Sequence, residues 1–221
     1  MIKKNLATIA AIIIWLVPIF YFIHIYSNLP QTIALHFGMD GKPNRFGNKE
    51  ELLWTMCLLT AINIGVYFLI TFLPKIDPKK TARYSAETFK KVSFLLVIFL
   101  SALQLLIINS SITGSFTLNK FMLPMMGLFF AYLGNLMHNI KPNYFFGIRT
   151  PWTLEDAETW RATHQLGGKM WFIGGIAITI ITLITPAKFA VPIFISIIII
   201  IALIPVIYSY IYFKKHHQSS L

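Results

Sequence analysis

Two clusters in this chain hold the side chains that acid–base or metal chemistry requires. Arg149, Glu155, Glu158 and His164 fall within residues 149–164, and His36, Asp40, Glu50 and Glu51 within residues 36–51. A carboxylate beside an imidazole can move protons or hold zinc, but the spacings here favour neither use. No HExxH or comparable ligand pattern is present, and Gly38 and Gly41 interrupt any helix that would bring His36 and Asp40 together at i, i+4. His164 follows Trp160 by four residues and so shares its helical face, the usual setting of a packed histidine. Arg149, between Gly147 and Pro151, can grip a phosphate or carboxylate with both arms of its guanidinium, or neutralise Glu155 or Glu158. Cys57, the single cysteine, excludes intrachain disulfides and thiolate clusters. These residues read as binding and structural groups, with no metal, cofactor or catalytic residue expected. A metal-dependent surface enzyme built on Glu158 and His164 is the alternative.

What must position these residues is set by where the charges fall. The 221 residues are 56% apolar and 12% charged, with a mean hydropathy of +0.67, too few polar groups to cover a soluble domain. No Asp, Glu, Lys or Arg occurs within residues 5–39, 52–74, 92–119, 121–140, 170–187 or 189–213. Six such windows fit the hydropathy template for six transmembrane helices, placed at about 6–26, 52–73, 92–109, 121–138, 170–185 and 189–213. The fifth is short and calls for local thinning of the bilayer. The first, preceded by Lys3 and Lys4, reads as an uncleaved helix, because it is longer than a signal-peptide core and lacks a small-x-small cleavage site. With the N-terminus inside, 14 of the 19 basic residues face the cytoplasm, so the positive-inside rule places both termini there, in a multi-pass membrane protein. The net charge of +11 then serves topology and contact with anionic membrane lipids rather than direct binding of nucleic acid.

The expected fold is therefore all-α and integral to the membrane, with six spans and a short interfacial helix in the cytoplasmic loop between helices 4 and 5. Two modules follow. Residues 1–91 hold the first span, a long outer loop 27–51, the second span and a basic inner loop; residues 92–221 hold spans three to six with the inner loop 139–169. In the outer loop, Ile33, Leu35 and Phe37 alternate with smaller or polar residues, the period of a short strand, and the run from Pro43 to Gly47 supplies turn residues. His36 is expected to hydrogen-bond within this loop or to contact an extracellular ligand. In the inner loop, Thr153 with Asp156 resembles a capping box, and a helix over about 154–165 is expected to end at Gly167 and Gly168. Glu158 and Arg161 can pair on it. Trp152, Trp160 and Trp171 stand where an interfacial aromatic belt would lie. Pro18, Pro124, Pro192 and Pro205, with Gly127, Gly174 and Gly175, offer kinks or close helix packing. A transporter is disfavoured, since the ionisable groups within the spans reduce to His24 and His138 near helix ends.

Both long loops also carry a resemblance. The stretch Asn143-x-x-x-Gly147-Ile148-Arg149-Thr150-Pro151-Trp152-Thr153-Leu154, followed by Trp160, Thr163-His164 and Gly167-Gly168, resembles the signature of the SdpI family, the immunity proteins against a sporulation-delaying killing toxin. Leu29-Pro30, Ile33, His36-Phe37, Gly41, Pro43, Gly47 and Lys49 are similar to the N-terminal module that often precedes it. The resemblance implies a bacterial six-helix protein that protects its own cell from a secreted peptide toxin. It further implies, from one branch of the family, a signal receptor that holds a small winged-helix repressor at the membrane. On this reading Gly147, Arg149, Thr150, Pro151, Trp152, Thr153, Glu158, Trp160 and His164 form an inner contact for a partner or lipid. His36, Phe37, Asp40, Gly41 and Lys49 form an outer contact for the toxin. Gln165 stands where Arg commonly follows the Thr-His pair, and Asn44 where many members carry Asp. A member of the same family without a toxin role, binding lipid or another partner, is the other implied reading.

Overall fold

Inside a bilayer no water is available to the backbone, so an apolar segment satisfies its own N–H and C=O groups by forming a helix. The structure, a computed structural model, describes residues 2–38, 41–78, 85–116 and 118–217, and the apolar runs among them are helical. In chain order these are α1 (Ile2–Tyr26), β1 (Thr32–Phe37), β2 (Pro43–Asn48), α2 (Lys49–Ile76), α3 (Ala86–Thr113), a π-helical turn (Leu118–Met122), α4 (Leu123–Met137), α5 (Pro151–Glu155), α6 (Ala157–Ile184) and α7 (Ala187–His217). Six helices are long and apolar enough to cross a membrane: Thr8–Tyr26, Lys49–Ile76, Ala86–Thr113, Lys120–Met137, Ala157–Ile184 and Lys188–His216. Large apolar side chains such as Trp54 and Ile184 are left 73% and 78% exposed, a surface suited to lipid and not to water.

Three expectations need correction. The fifth span starts at Ala157, thirteen residues before the expected 170, and runs unbroken through Gly167 and Gly168 to Ile184. At 28 residues it is about 42 Å long and needs no thinning of the bilayer. The short helix of this connection is Pro151–Glu155, not 154–165. Finally, the residues read as turns from Pro43 to Gly47 lie in a second strand, which pairs antiparallel with β1 in the register Ile33 to Gly47 and His36 to Arg45, with irregularities on either side of His36. This hairpin is a departure from an all-helical chain. Asp40, with Met39, lies outside the described residues, as do Lys79, Lys80 and Arg83 of the basic loop.

The helices group into two compact units. The first comprises Met1–Leu69 and Ser93–Met122. Its core gathers Phe22, Leu29, Ile33, Leu52, Met56 and Ile108, so the hairpin is anchored through Ile33 to the helices that flank it. Farther along the same helices Trp15 meets Tyr67 edge-on at 5.4 Å. Two buried amides tie α2 to α3: Asn63 Nδ2 donates to Ser101 Oγ (3.1 Å) and Gln104 Nε2 to Thr60 Oγ1 (2.9 Å).

The second unit comprises Ile70–Val92 and Leu123–Leu221. Here α4 and α6 approach backbone to backbone. A Cβ added at Gly134 would sit 2.4 Å from the Phe172 nitrogen, and one at Gly175 2.4 Å from the Ala131 nitrogen, so glycine at both is what permits the contact, as small residues do between helices in lipid. Thr179 Oγ1 donates across the same seam to the Pro124 carbonyl (3.2 Å). On the other side of α6, Trp171 Nε1 donates to the Ile201 carbonyl of α7 (3.0 Å). Pro205 has no N–H to give that carbonyl four residues back, and the indole takes its place.

Candidate functional site

The connection from α4 to α6 builds itself around two side chains. Asn143, fully buried, accepts the N–H groups of Phe145 and Phe146 on Oδ1 (2.9 and 2.7 Å) and donates Nδ2 to the carbonyls of Lys141 and Phe146 (2.9 and 3.0 Å). One amide thereby closes a turn that has no helix or strand to satisfy it. The turn leads to Gly147, whose φ of +111° is open to glycine, and a Cβ there would lie 2.3 Å from His164 Nε2.

His164 is the second organiser. Its ring stacks on Trp160 at 4.0 Å and 20° and is 2% exposed. Nδ1 lies 2.8 Å from the Trp160 carbonyl, which can only accept, and Nε2 accepts the Ile148 N–H at 2.9 Å. These two partners assign a neutral ring protonated on Nδ1. Trp160 Nε1 donates to the Ile140 carbonyl (2.8 Å). Both ends of the loop are thus bonded to one face of the first turns of α6.

Thr150 and Thr153 start α5. Thr150 caps the helix, its N–H reaching Thr153 Oγ1 (2.8 Å) and its Oγ1 accepting the Thr153 N–H (3.3 Å), with Pro151 in the first turn where no N–H is needed. Thr153 Oγ1 donates onward to the Ile148 carbonyl (2.9 Å). Asp156 then breaks the helix and caps α6 by accepting the Thr159 N–H (2.6 Å). Trp152 Nε1 donates to Ser209 Oγ near the end of α7 (2.6 Å). The expected capping box of Thr153 with Asp156 is therefore two separate caps. The three tryptophans read as an interfacial belt each spend their indole N–H on a bond within the protein.

The acid–imidazole set is not assembled. His164 is buried with both nitrogens in use, while Glu155 and Glu158 are exposed. Arg149 is also exposed; Nη1 donates to the Tyr144 carbonyl. Among the described residues it forms no ion pair with Glu155 or Glu158, nor does Arg161 with Glu158. Its remaining donors face outward and can meet a phosphate or carboxylate.

The hairpin is built differently. His36 Nδ1 is 2.6 Å from Asn44 Oδ1 across the strands, both exposed. Arg45 pairs with Glu51 at 2.5 Å, so Glu51 is already partnered. Phe37 packs on Phe116 at 5.9 Å. Gly41 (φ +77°) offers its carbonyl to the Phe116 N–H (3.0 Å), and a Cβ there would strike the Phe116 carbonyl oxygen. Lys49 closes the hairpin through its N–H to the Gln31 carbonyl (3.2 Å) and lays Nζ 4.9 Å over the Tyr26 ring. No group of three or more His, Cys, Asp or Glu that could hold a metal occurs among the described residues.

Sequence reasoning passed over Asp77, Ser85 and Ser209 as contributors to the loop. Asp77 Oδ2 accepts the Tyr144 N–H (2.8 Å) and Ser85 Oγ the Lys141 N–H (2.8 Å). No local pattern marks them, because their partners lie dozens of residues away. Asn143 stood at the head of the signature, and its place in a run of loop aromatics was the available signal.

Residues 139–212 match the SdpI/YfhL protein family, and residues 13–61 match a domain of unknown function, DUF1648. Over 217 residues the chain is 25% identical to the Immunity protein SdpI of Bacillus subtilis (strain 168), covering 98% of this chain and 99% of that one. Over 53 residues it is 45% identical to an uncharacterized protein of Archaeoglobus fulgidus, 24% of this chain and 26% of that protein. No solved structure matches it.

Proposed function

From the SdpI/YfhL family module that this chain carries over residues 139–212, we propose that it is a multi-pass membrane immunity protein giving its cell resistance to a secreted peptide toxin. The observation that carries the reading is the match, along nearly the whole of both chains, to a protein named for immunity. The two modules, 1–91 and 92–221, each hold one of the matched segments.

In the finer reading, both termini are cytoplasmic and the connections after spans one and four face opposite compartments. The hairpin is outside and meets the toxin through His36, Phe37, Asp40, Gly41 and Lys49. The signature loop is inside, where Arg149, Pro151 and Glu158 are the exposed members available to a partner. The buried members, Thr150, Thr153, Trp160 and His164, shape that surface without touching the partner. A small winged-helix repressor held at this face would complete a receptor. Such coupling requires the toxin to favour one of two arrangements of the protein.

Expression in a toxin-sensitive strain that lacks the family tests the immunity reading. Survival in the presence of a cognate toxin is expected, and unchanged killing by every toxin tried overturns it. Sidedness is tested by moving the single cysteine from Cys57 to Ala157. Labelling of that position by an impermeant maleimide added from outside overturns the orientation and with it the receptor scheme.

A further inference from the structure

Between α1 and α2 lies an apolar cavity of about 400 Å³ within the first unit, lined by Phe22, Leu53, Met56, Cys57 and Thr60 among others, with Gln104 of α3 also in its wall. Its volume falls in the range of about 300–1,000 Å³ typical of small-molecule sites. The space is too small to enclose a peptide helix. With side chains a helix is about 10 Å or more across, so three turns of it occupy on the order of 1,300 Å³. A single extended chain is the shape that such a space admits.

The lining is directional. Leu53, Met56, Cys57 and Thr60 follow Lys49 by four, seven, eight and eleven residues, one stripe along α2 of about 17 Å. On α1, Phe22 lies one turn before Tyr26, over whose ring Lys49 Nζ sits at 4.9 Å. The stripe therefore leads from the apolar lining to a cation one helical turn beyond it, at the helix ends, the depth where lipid headgroups lie. Lys49 is half-buried and has no acidic partner among the described residues; Glu51 is committed to Arg45. In the wall the Gln104 amide nitrogen already serves Thr60 Oγ1 (2.9 Å) and the Met56 carbonyl (3.4 Å), so it asks for no polar group from an occupant.

We propose that this cavity holds one acyl chain of an anionic glycerophospholipid, with the headgroup phosphate at Lys49. The charge at the mouth selects an anionic headgroup over a zwitterionic one, and the length and narrowness of the stripe select a chain.

Cys57 gives a readout without any substitution, being the single cysteine, exposed, and part of the cavity wall. The purified, delipidated full chain in mild detergent is titrated with phosphatidylglycerol or phosphatidylcholine, and the rate of Cys57 alkylation by N-ethylmaleimide is followed. Saturable slowing by phosphatidylglycerol at one lipid per chain is expected, with phosphatidylcholine about fivefold weaker, the discrimination that one interfacial cation provides. In Lys49→Glu the two lipids should protect Cys57 alike, and native mass spectrometry should show the retained phosphatidylglycerol lost. Equal protection by both lipids in the unaltered chain, no protection by either, or an unchanged preference in Lys49→Glu overturns the proposal.

Discussion

The hairpin and the signature loop are both polar insertions between apolar helices, and they spend their polar groups in opposite ways. In the signature loop most of the named side chains turn inward, with Arg149, Pro151 and Glu158 the exposed exceptions. Thr153 is fully buried, Trp160 and His164 are 2% exposed, and nearly every donor has an acceptor within the protein. In the hairpin the named side chains bond to one another at the surface, as His36 with Asn44 and Arg45 with Glu51. A buried, saturated loop is costly to disturb and has little left to offer a ligand. An exposed one is inexpensive to disturb and keeps its groups within reach. A marked signature in sequence can thus report buried architecture in one region and exposed groups in another.

Five substitutions test this contrast. The largest effect is expected for Gly147→Ala, which combines a left-handed backbone with a Cβ driven against His164 Nε2. A loss of about 3 kcal/mol or more should follow, seen as collapse of the folded fraction on heating in detergent; a melting temperature like that of the unaltered protein would break the contrast. Trp160→Phe keeps the stack on His164 but leaves the Ile140 carbonyl, itself buried, without its donor. That should cost about 1–3 kcal/mol in the same assay. Thr153→Val, of nearly equal volume, keeps the Thr150 cap on its own N–H but removes the reciprocal bond to the Thr150 N–H and the bond to the Ile148 carbonyl, for about 1–2 kcal/mol. Arg45→Ala loses an exposed ion pair, for about 0–1 kcal/mol, and should leave the melting temperature unchanged. The same holds for His36→Ala, in which protection against toxin should fall while the protein stays folded. Were His36→Ala to unfold the chain, the hairpin would belong with the architectural loop.

Charge placement made the six spans legible, because a charge on a lipid-facing surface is costly and the helices avoid it. The same rule misplaced the start of α6. Glu158, Arg161, Gln165 and Lys169 are all exposed, while Trp160, Thr163, His164, Gly167 and Gly168 are buried. That is an amphipathic helix of regular period, and the period, followed past the charges, extends the span to Ala157. Gly167 and Gly168 looked like a helix stop because glycine ends helices where backbone meets water. Here a Cβ on Gly168 would lie 2.9 Å from the Gly134 carbonyl oxygen and one on Gly167 2.6 Å from an Ile148 methyl, so the pair marks tight packing. The second strand was hidden for the reverse reason. β2 is half-exposed or exposed at every position and has no apolar alternation to read; its place is fixed by its partner. Within the signature, residue types were legible as a set, but their inward direction was not, since it depends on Ile140, Ser209 and other distant partners.

The continuity of α6 has a mechanical meaning. The helix that receives the bonds of the signature loop is the same rod that crosses the membrane, 28 residues without a break, about 42 Å from end to end. Along it, α4 is seated glycine against glycine, with no side-chain layer to absorb movement. A push on the loop cannot be dissipated by unwinding a hinge at Gly167 and Gly168. It has to appear as tilt of the rod: a rotation of about 5° about one end displaces the other by roughly 4 Å over that length. Asp156 caps the end of that rod to which the loop is bonded.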